Sequence, residues 1–316
     1  MPMRLPQLDR LFLTDSGLET DLIFNHGVDL PCFAAFTLLR DASGRRRLAD
    51  YYRRHLDIAR AAGTGFILES TGWRASADWG EQLGIDTGEL NTLNRQGVEL
   101  LHSLRNEYQS EALPIIVSGC IGPRGDGYVP DTNFSAGAAE AYHRTQVASL
   151  AAAAPDMITA MTLTTVDEAI GIVRAAQAAG LPVVISFTLE TDGRLPSGTT
   201  LGDAIAAVDA ATDGVAAYFM VNCAHPSHFE PAIEAGAPWL DRLRGLRANA
   251  SQCSHAELDV MTSLDAGDPA TLANEYAALL ARLPQLTVLG GCCGTDARHV
   301  AAIAAACTGQ PMHKTA

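Results

Sequence analysis

Eight short apolar runs, each followed by a helical or loop segment, recur along the chain of 316 residues. Parallel strands need long crossover connections, usually helices, so this alternation predicts a parallel sheet. The runs are apolar along most of their length, as in strands that are buried on both faces. We therefore predict an α/β fold, a single (β/α)8 TIM barrel, with an open doubly wound sheet as the alternative. The predicted strands are 11–13, 65–68, 114–118, 157–162, 182–187, 217–222, 246–249 and 286–289.

Length and composition are compatible with one large domain. Hydrophobic residues make up 47% of the chain, and α/β barrels routinely form single domains of this size. The first predicted strand is not followed by a Gly-x-Gly-x-x-Gly motif, and no Walker-type phosphate loop is present, which disfavours a nucleotide-binding fold. We expect residues 1–316 to form one barrel domain, whose active site lies at the carboxyl ends of the strands.

Charge and cysteine content limit the classes of partner. The chain has 22 basic and 36 acidic residues and a net charge of −14, which disfavours nucleic acids and anionic membranes. It has no apolar stretch of about eighteen residues and no signal-peptide pattern at residues 1–10, so we expect a cytoplasmic protein. Seven cysteines, an odd number, are typical of free thiols in a reducing compartment. We expect small-molecule partners, and a homo-oligomer is compatible with the sequence.

Two adjacent cysteines, Cys292 and Cys293, lie among glycines directly after the last predicted strand. Side chains of a strand alternate between faces, so neighbouring thiols reach one point only where the strand ends, and glycines permit such a turn. Cys223 ends the sixth predicted strand in the same way. Three thiolates with one open position would form a catalytic Zn²⁺ site, so we predict these three residues as metal ligands and catalytic centre. Buried unreactive cysteines or a Cys292–Cys293 disulfide are the alternatives.

The cysteine motifs, Val221-Asn222-Cys223 and Gly290-Gly291-Cys292-Cys293-Gly294-Thr295, together resemble the homocysteine S-methyltransferase family. This family comprises zinc-dependent (β/α)8 enzymes and includes the betaine– and S-methylmethionine–homocysteine methyltransferases. Segments 15–20, 118–123 and the pair 185–188 and 194–199 resemble other strand ends of the family. The resemblance implies a Zn²⁺ cofactor, a thiol acceptor such as homocysteine, and a methyl donor with a cationic sulfonium or quaternary ammonium centre. Methyl transfer to homocysteine would give methionine.

Other polar and aromatic residues at predicted strand ends are candidates for substrate binding. Asp15, after the first strand, resembles the family's substrate-binding aspartate. Trp73 and Tyr128 lie in the loops after the second and third strands, where we expect them to form an aromatic wall for the cationic donor. Asn249 ends the seventh predicted strand and is expected to face the same cavity. Ordinary loop packing is the alternative for the two aromatic residues.

One position departs from the pattern that the resemblance implies. Met161 stands at the end of the fourth strand, where the family has a glutamate that binds the amino group of homocysteine. A methionine accepts only weak hydrogen bonds. We expect Glu69, at the end of the second strand, to bind the amino group instead. A thiol acceptor without an α-amino group and a non-catalytic protein that binds zinc or thiols are the alternatives.

Overall fold

The structure is a computed structural model that describes residues 5–234 and 236–309. Eight parallel strands form a closed barrel in sequential order, and the first strand pairs with the eighth. The prediction of a (β/α)8 TIM barrel is confirmed; residues 1–4, 235 and 310–316 of the predicted domain lie outside the described residues. The strands are β1 (Phe12–Leu13), β2 (Gly65–Glu69), β3 (Ile115–Ile121), β4 (Met157–Leu163), β5 (Val183–Phe187), β6 (Tyr218–Asn222), β7 (Leu243–Ala248) and β8 (Val288–Gly291).

Helices connect the strands around the outside of the barrel. Several begin at a polar residue whose side chain accepts a hydrogen bond from the first turn, such as Asp41, Ser135 and Thr165. No helix within the described residues is long and apolar enough to cross a bilayer. The α-helices are α1 (Leu18–Thr20), α2 (Ala42–Ala62), α3 (Ala77–Gln82), α4 (Thr87–Tyr108), α5 (Ala136–Ala151), α6 (Val166–Ala178), α7 (Leu201–Ala211), α8 (Pro226–Phe229), α9 (His255–Asp259), α10 (Pro269–Arg282) and α11 (Ala297–Cys307).

The region from β6 to β7 differs most from the predicted elements. β7 begins three residues earlier than the predicted strand 246–249. The start was not predicted because Arg244 and Arg247 interrupt the apolar pattern by which a buried strand is recognised. The helix that follows β6 has only four residues and continues as a 3-10 turn, Glu230–Ala232. Pro231 lies in that turn, and a proline lacks the amide hydrogen that an α-helix needs.

The interior of the barrel is filled at the amino-terminal end of the strands. Phe12 and Ile67 belong to a buried cluster inside the barrel, whereas their neighbours Leu13 and Phe66 belong to the larger cluster between strands and helices, as expected from the alternation of side chains. A Cβ atom at Gly65 would lie 2.4 Å from the Phe12 ring, so only glycine fits there. Because this end is packed, the open space lies at the carboxyl ends of the strands.

A tyrosine on α10 ties β7 to β8 just below the paired cysteines. Tyr276 Oη donates to the Gly290 carbonyl over 2.6 Å and accepts from the Ala248 amide over 2.7 Å, and its side chain is fully buried. Hydrogen bonds of this kind stabilise a fold mainly because losing one leaves a buried polar group without a partner. Tyr276 therefore links the outer helical layer to the strand ends that carry the thiols.

Removal of this hydroxyl by Tyr276→Phe should lower the free energy of unfolding by about 1–3 kcal/mol, because two buried backbone groups lose a partner. Urea unfolding followed by circular dichroism measures the change. Tyr108→Phe, at a half-buried position on α4, is the matched control and should change the stability much less. An unfolding midpoint for Tyr276→Phe equal to that of the unmodified protein would contradict the role of Tyr276.

Candidate active site

Three cysteine side chains converge at the carboxyl ends of β6 and β8. The Sγ atoms of Cys223, Cys292 and Cys293 all lie within 4.8 Å of one another, and those of Cys223 and Cys293 are 3.9 Å apart. Tetrahedral coordination with Zn–S bonds of about 2.3 Å places sulfur atoms about 3.8 Å apart. The spacing therefore fits one ion held by three thiolates. The cysteines are free thiols in this structure, without a Cys292–Cys293 disulfide.

The backbone turns sharply where each cysteine motif begins or ends. Cys223 has φ +53°, a left-handed conformation that is uncommon for residues other than glycine. Its carbonyl accepts hydrogen bonds from Asn249 Nδ2 at 3.1 Å and from His255 Nε2 at 2.7 Å. Gly294, which follows the cysteine pair, has φ +81°, and a Cβ atom there would lie 2.7 Å from the Asp265 carbonyl. Surrounding contacts thus hold Cys223 in a conformation that is otherwise costly, whereas the second turn requires glycine, which adopts a positive φ without strain.

The amide side chain of Asn222 lies beside the thiols and is held by hydrogen bonds to β4 and β5. Its Oδ1 accepts from Ser186 Oγ at 2.6 Å and from the Thr162 amide at 2.9 Å. Its Nδ2 donates to Thr162 Oγ1 at 2.8 Å and lies 3.9 Å from Cys292 Sγ. Thr162 Oγ1 in turn lies 3.9 Å from Cys223 Sγ. These two side chains orient the sulfur atoms, as the hydrogen-bond partners of metal ligands commonly do.

A buried arginine on β7 supplies positive charge beside the thiols. Arg247 Nη2 donates to Asp15 Oδ1 at 2.6 Å, and its Nε donates to the Gly291 carbonyl at 3.1 Å. Hydrogen bonds from the thiols of Cys223 and Cys293 hold the pKa of Cys292 well below its ordinary value, and the charge of Arg247 lowers it further. Hydrogen bonding to Cys292 raises the pKa of Cys223, and hydrogen bonds with both other thiols raise the pKa of Cys293. Among the three thiols, Cys292 is therefore the one that loses its proton most readily when no metal is bound.

The thiols open into a cavity of about 340 Å³ at the carboxyl ends of the strands. Two glutamates in its lining, Glu19 and Glu69, lack a neighbouring cation in direct contact among the described residues. Burial raises the pKa of each to about 7, and Glu69 Oε2 has no hydrogen-bond partner. Both carboxyl groups would be satisfied by a cationic ligand. The lining also includes Asp15, Trp73, Arg74, Cys120, Tyr128, Met161, Thr162, Asn222 and Arg247.

The residues predicted to bind substrates fall into two groups. Asp15, Glu69 and Trp73 line the cavity, although both carboxylate oxygens of Asp15 already have partners, Arg247 and the Tyr51 hydroxyl. Asn249 is absent from the lining residues, and its side chain bonds to the Cys223 carbonyl instead. Its position does not support the predicted substrate contact: the side chain points back to the β6 turn and supports the backbone of a thiol-bearing residue.

The two aromatic residues of the predicted wall have different surroundings. Tyr128 Oη lies 3.9 Å from Cys293 Sγ, and its ring stacks on the His255 imidazole with centroids 4.0 Å apart. Trp73 is half-buried, and the Arg74 guanidinium lies 4.0 Å from its ring centroid. One face of Trp73 is therefore covered by a cation of the protein itself, and no sequence pattern indicated this contact.

Arg247, Asn222 and Arg74 are among the polar residues of the cavity that were not predicted from the sequence. An arginine within an otherwise apolar predicted strand, as at Arg247, is the signal that indicates a buried ion pair. Asn222 offered a weaker signal, since it is a polar residue at the end of a buried strand, directly before a candidate ligand. For Arg74, a position beside Trp73 in a predicted loop gave no sign that its side chain is buried.

Comparisons of the sequence with known proteins identify the family to which it is similar. The model of the family described as "Homocysteine S-methyltransferase" matches residues 12–307. The homocysteine S-methyltransferase of Escherichia coli (strain K12) is 28% identical over 271 residues, covering 79% of this chain and 82% of that protein. Homocysteine S-methyltransferase 2 of Zea mays is 24% identical over 318 residues, covering 92% of this chain and 87% of that protein.

A solved structure shows the same fold. The crystal structure of the metallated form of the homocysteine methyltransferase MmuM from Escherichia coli superposes with a TM-score of 0.72 at 23% sequence identity. The match covers 94% of this chain and 96% of that chain. The oxidized form of the same enzyme gives the same TM-score, with coverage of 93% and 95%.

The raised pKa of Glu69 predicts how the stability of the metal-free protein depends on pH. The carboxyl group has a pKa of about 7 in the folded protein, against 4.5 ordinarily, so the folded state binds more protons between these values. This group therefore makes the free energy of unfolding fall as pH rises from 4.5 to 7. In Glu69→Gln this contribution is absent, so the variant should lose less stability over that range, by up to about 3 kcal/mol.

Urea unfolding of the reduced, metal-free protein at pH 5, 6 and 7 measures this effect. Glu111→Gln, at an exposed position before β3, serves as the control and should follow the unmodified protein at every pH. Parallel stability curves for Glu69→Gln and the unmodified protein would show that Glu69 has an ordinary pKa.

Proposed function

Because the chain belongs to the homocysteine S-methyltransferase family, and is therefore a methyltransferase, we propose that it methylates the thiol of homocysteine to give methionine. The methyl group comes from a donor with a cationic sulfonium or quaternary ammonium centre. The observation that carries this proposal is the set of three thiols within 4.8 Å of one another at the base of a cavity. Such free thiols persist in a reducing compartment, which supports a cytoplasmic enzyme.

Zn²⁺ is the proposed ion, and Cys223, Cys292 and Cys293 are its proposed ligands. Thiolates are soft ligands that favour zinc over magnesium or calcium. When bound, zinc would supply an open fourth position that keeps an acceptor thiol deprotonated at neutral pH. The pKa of Cys292 is lowered even without the ion, so this thiol loses its proton most readily. Cys223 and Cys293 would release their protons when the ion binds. Asn222 and Thr162 then donate hydrogen bonds to thiolates.

The proposed donor site lies against Tyr128 and Trp73, which both line the cavity. An aromatic face attracts a cation with about 0.5–2 kcal/mol. Burial raises the pKa of Tyr128 well above its usual value, so the phenol stays neutral and retains its hydroxyl hydrogen beside Cys293. Transfer of a methyl group from a cationic sulfur or nitrogen leaves a neutral product, so no residue needs to protonate the leaving group.

Glu69 is the proposed binding group for the amino group of homocysteine. Met161 lines the cavity and offers only a thioether there, whereas Glu69 Oε2 is buried without a partner. An ammonium group beside Glu69 would stabilise the ionised carboxylate and lower its pKa. Met161 also supports a second candidate, an acceptor thiol without an α-amino group.

Cys223→Ser tests the proposed centre. The variant should weaken zinc binding by more than about a hundredfold and abolish methyl transfer, because one of three soft ligands is lost. Zinc competition with a chromophoric chelator measures affinity, and methionine formation from homocysteine with S-methylmethionine or betaine measures activity. Cys32→Ser, at an exposed cysteine, is the control. Full zinc binding and turnover by Cys223→Ser would rule out the proposed ligand set, whereas tight zinc binding by the unmodified protein without turnover would indicate a non-catalytic protein.

The pKa of Glu69 predicts a pH-dependent preference for acceptors with an amino group. The ratio of kcat/KM for homocysteine to that for 4-mercaptobutanoate, which lacks the amino group, should rise as pH increases through about 7 and the carboxylate ionises. Using a ratio removes the titration of the acceptor thiol, which both compounds share. Glu69→Gln should give a flat ratio. Homocysteine turnover that is unaffected by Glu69→Ala would refute the role of Glu69.

A further inference from the structure

A second buried arginine, Arg74, lies in the wall of the same cavity. Its side chain belongs to the loop between β2 and α3, and the residue is only 7% exposed. The guanidinium lies between two indole rings, 4.0 Å from the Trp73 centroid and 3.8 Å from the Trp79 centroid. This arrangement holds the guanidinium rigidly, since planar stacking on aromatic faces restricts its rotation.

The hydrogen-bonding capacity of Arg74 is largely unused. A guanidinium has five N–H donors, and the structure gives Arg74 one hydrogen bond, from Nη1 to the Gly125 carbonyl at 2.8 Å. Its buried Nε has no partner. Among the described residues no carboxylate lies within ion-pair distance of Arg74. The carboxylate of Asp126 acts on it from farther away and accepts hydrogen bonds from the amides of Tyr128 and Val129.

A buried cation without an anionic partner is costly. Arg247, the other arginine of the cavity, shows the usual solution, since it is paired with Asp15 at 2.6 Å. Arg124, in the next loop, is also stacked on aromatic rings, those of Phe134 and Tyr142, but forms an ion pair with Asp78 at 2.7 Å. Arg74 is as buried as Arg247 and is stacked on aromatic rings like Arg124, yet no anion of the described residues is paired with it.

Arg74 lies on the cavity wall at a position where it could contact the end of a substrate that is remote from the thiols. A Cβ atom at Gly127 would lie 3.2 Å from Trp73 Cζ2 and 3.3 Å from Thr162 Cγ2, so these two side chains flank the same point of the wall. The Thr162 hydroxyl lies 3.9 Å from Cys223 Sγ. Thr162 and Trp73 thus lie between the thiols and Arg74 in the cavity lining, and a ligand bound at the thiols would reach Arg74 along this wall.

We propose that Arg74 binds the carboxylate of a substrate and selects for substrates that carry one, an inference that rests on the proposed methyl transfer. A guanidinium donates two parallel hydrogen bonds to a carboxylate, and the two indole rings leave its edge as the part that meets the ligand. The carboxylate belongs to the thiol acceptor or to the cationic methyl donor. In both cases Arg74 fixes the end of the substrate that is opposite to the reacting sulfur or nitrogen.

Paired substrates with and without a carboxylate test the proposal and identify the source. The acceptor pair is homocysteine and 3-aminopropane-1-thiol; the donor pairs are S-methylmethionine with (3-aminopropyl)dimethylsulfonium and betaine with tetramethylammonium. Arg74→Gln should lower kcat/KM for the carboxylate member of one class by about thirtyfold or more, and for its counterpart by less than about threefold. The loss of kcat/KM in Arg74→Lys should be smaller than in Arg74→Gln, because lysine keeps the positive charge but cannot donate two parallel hydrogen bonds to a carboxylate.

Two controls separate carboxylate binding from a structural role. Arg124→Gln removes a stacked arginine outside the cavity lining and should leave the selectivity unchanged. Added methylguanidinium should restore part of the activity of Arg74→Ala, as it would not if the variant were misfolded. Equal losses for both members of every pair, or no loss in Arg74→Gln, would overturn the proposal.

Measuring the binding of these compounds directly tests the role of Arg74 even if the protein does not turn them over. If the unmodified protein transfers no methyl group in any arm, the proposed function fails, and isothermal titration with the same compounds then decides the role of Arg74. Carboxylate-dependent binding that is lost in Arg74→Gln would still support it. Binding that does not discriminate between members of a pair, or no binding at all, would refute it.

Discussion

Hydrogen bonds to β7 hold the two cysteine motifs at the distance that a shared ion requires. β7 lies between β6 and β8 in the barrel, and Arg247 contacts both neighbours: its carbonyl accepts from the Cys223 amide at 3.2 Å, and its Nε donates to the Gly291 carbonyl at 3.1 Å. The Ala248 carbonyl accepts from the Cys292 amide at 2.8 Å. The thiols are far apart in the chain, but the order of the strands, the backbone hydrogen bonds of β7 and the buried Arg247 side chain bring them together.

The charges of the cavity are arranged around cationic ligands. The charge of Arg247 is neutralised by Asp15. The thiols become negatively charged when they lose their protons, and so do Glu19 and Glu69, whose pKa values are about 7. A divalent ion at the thiols and an ammonium group at Glu69 would each compensate part of this charge. Arg74, the remaining cation of the lining, lies on the other side of Trp73 and is matched by an anion of the ligand. A small molecule with both charges therefore fits the cavity better than one with either charge alone.

The barrel and the three thiols could be predicted because both leave local patterns in the sequence. Apolar runs and helical periodicity reveal the elements, and a cysteine at a strand end reveals its direction toward the carboxyl-terminal face. The supporting residues left no such pattern. Asn249 stands at the expected strand end, yet its side chain turns back to the Cys223 carbonyl, and the burial of Arg74 depends on Trp79, five residues away on a helix that was not predicted. Side-chain direction within the barrel depends on tertiary contacts, which a strand pattern does not contain.

X-ray absorption spectroscopy at the zinc edge of the reduced, zinc-loaded protein tests the central claim most directly, because it counts the sulfur atoms bound to the ion. The account predicts three sulfur ligands at about 2.3 Å and one lighter atom, and four sulfur ligands after homocysteine is added. A first shell dominated by nitrogen or oxygen, or a sulfur count that stays unchanged on addition of homocysteine, would contradict a centre built from Cys223, Cys292 and Cys293 with one position for the acceptor thiol.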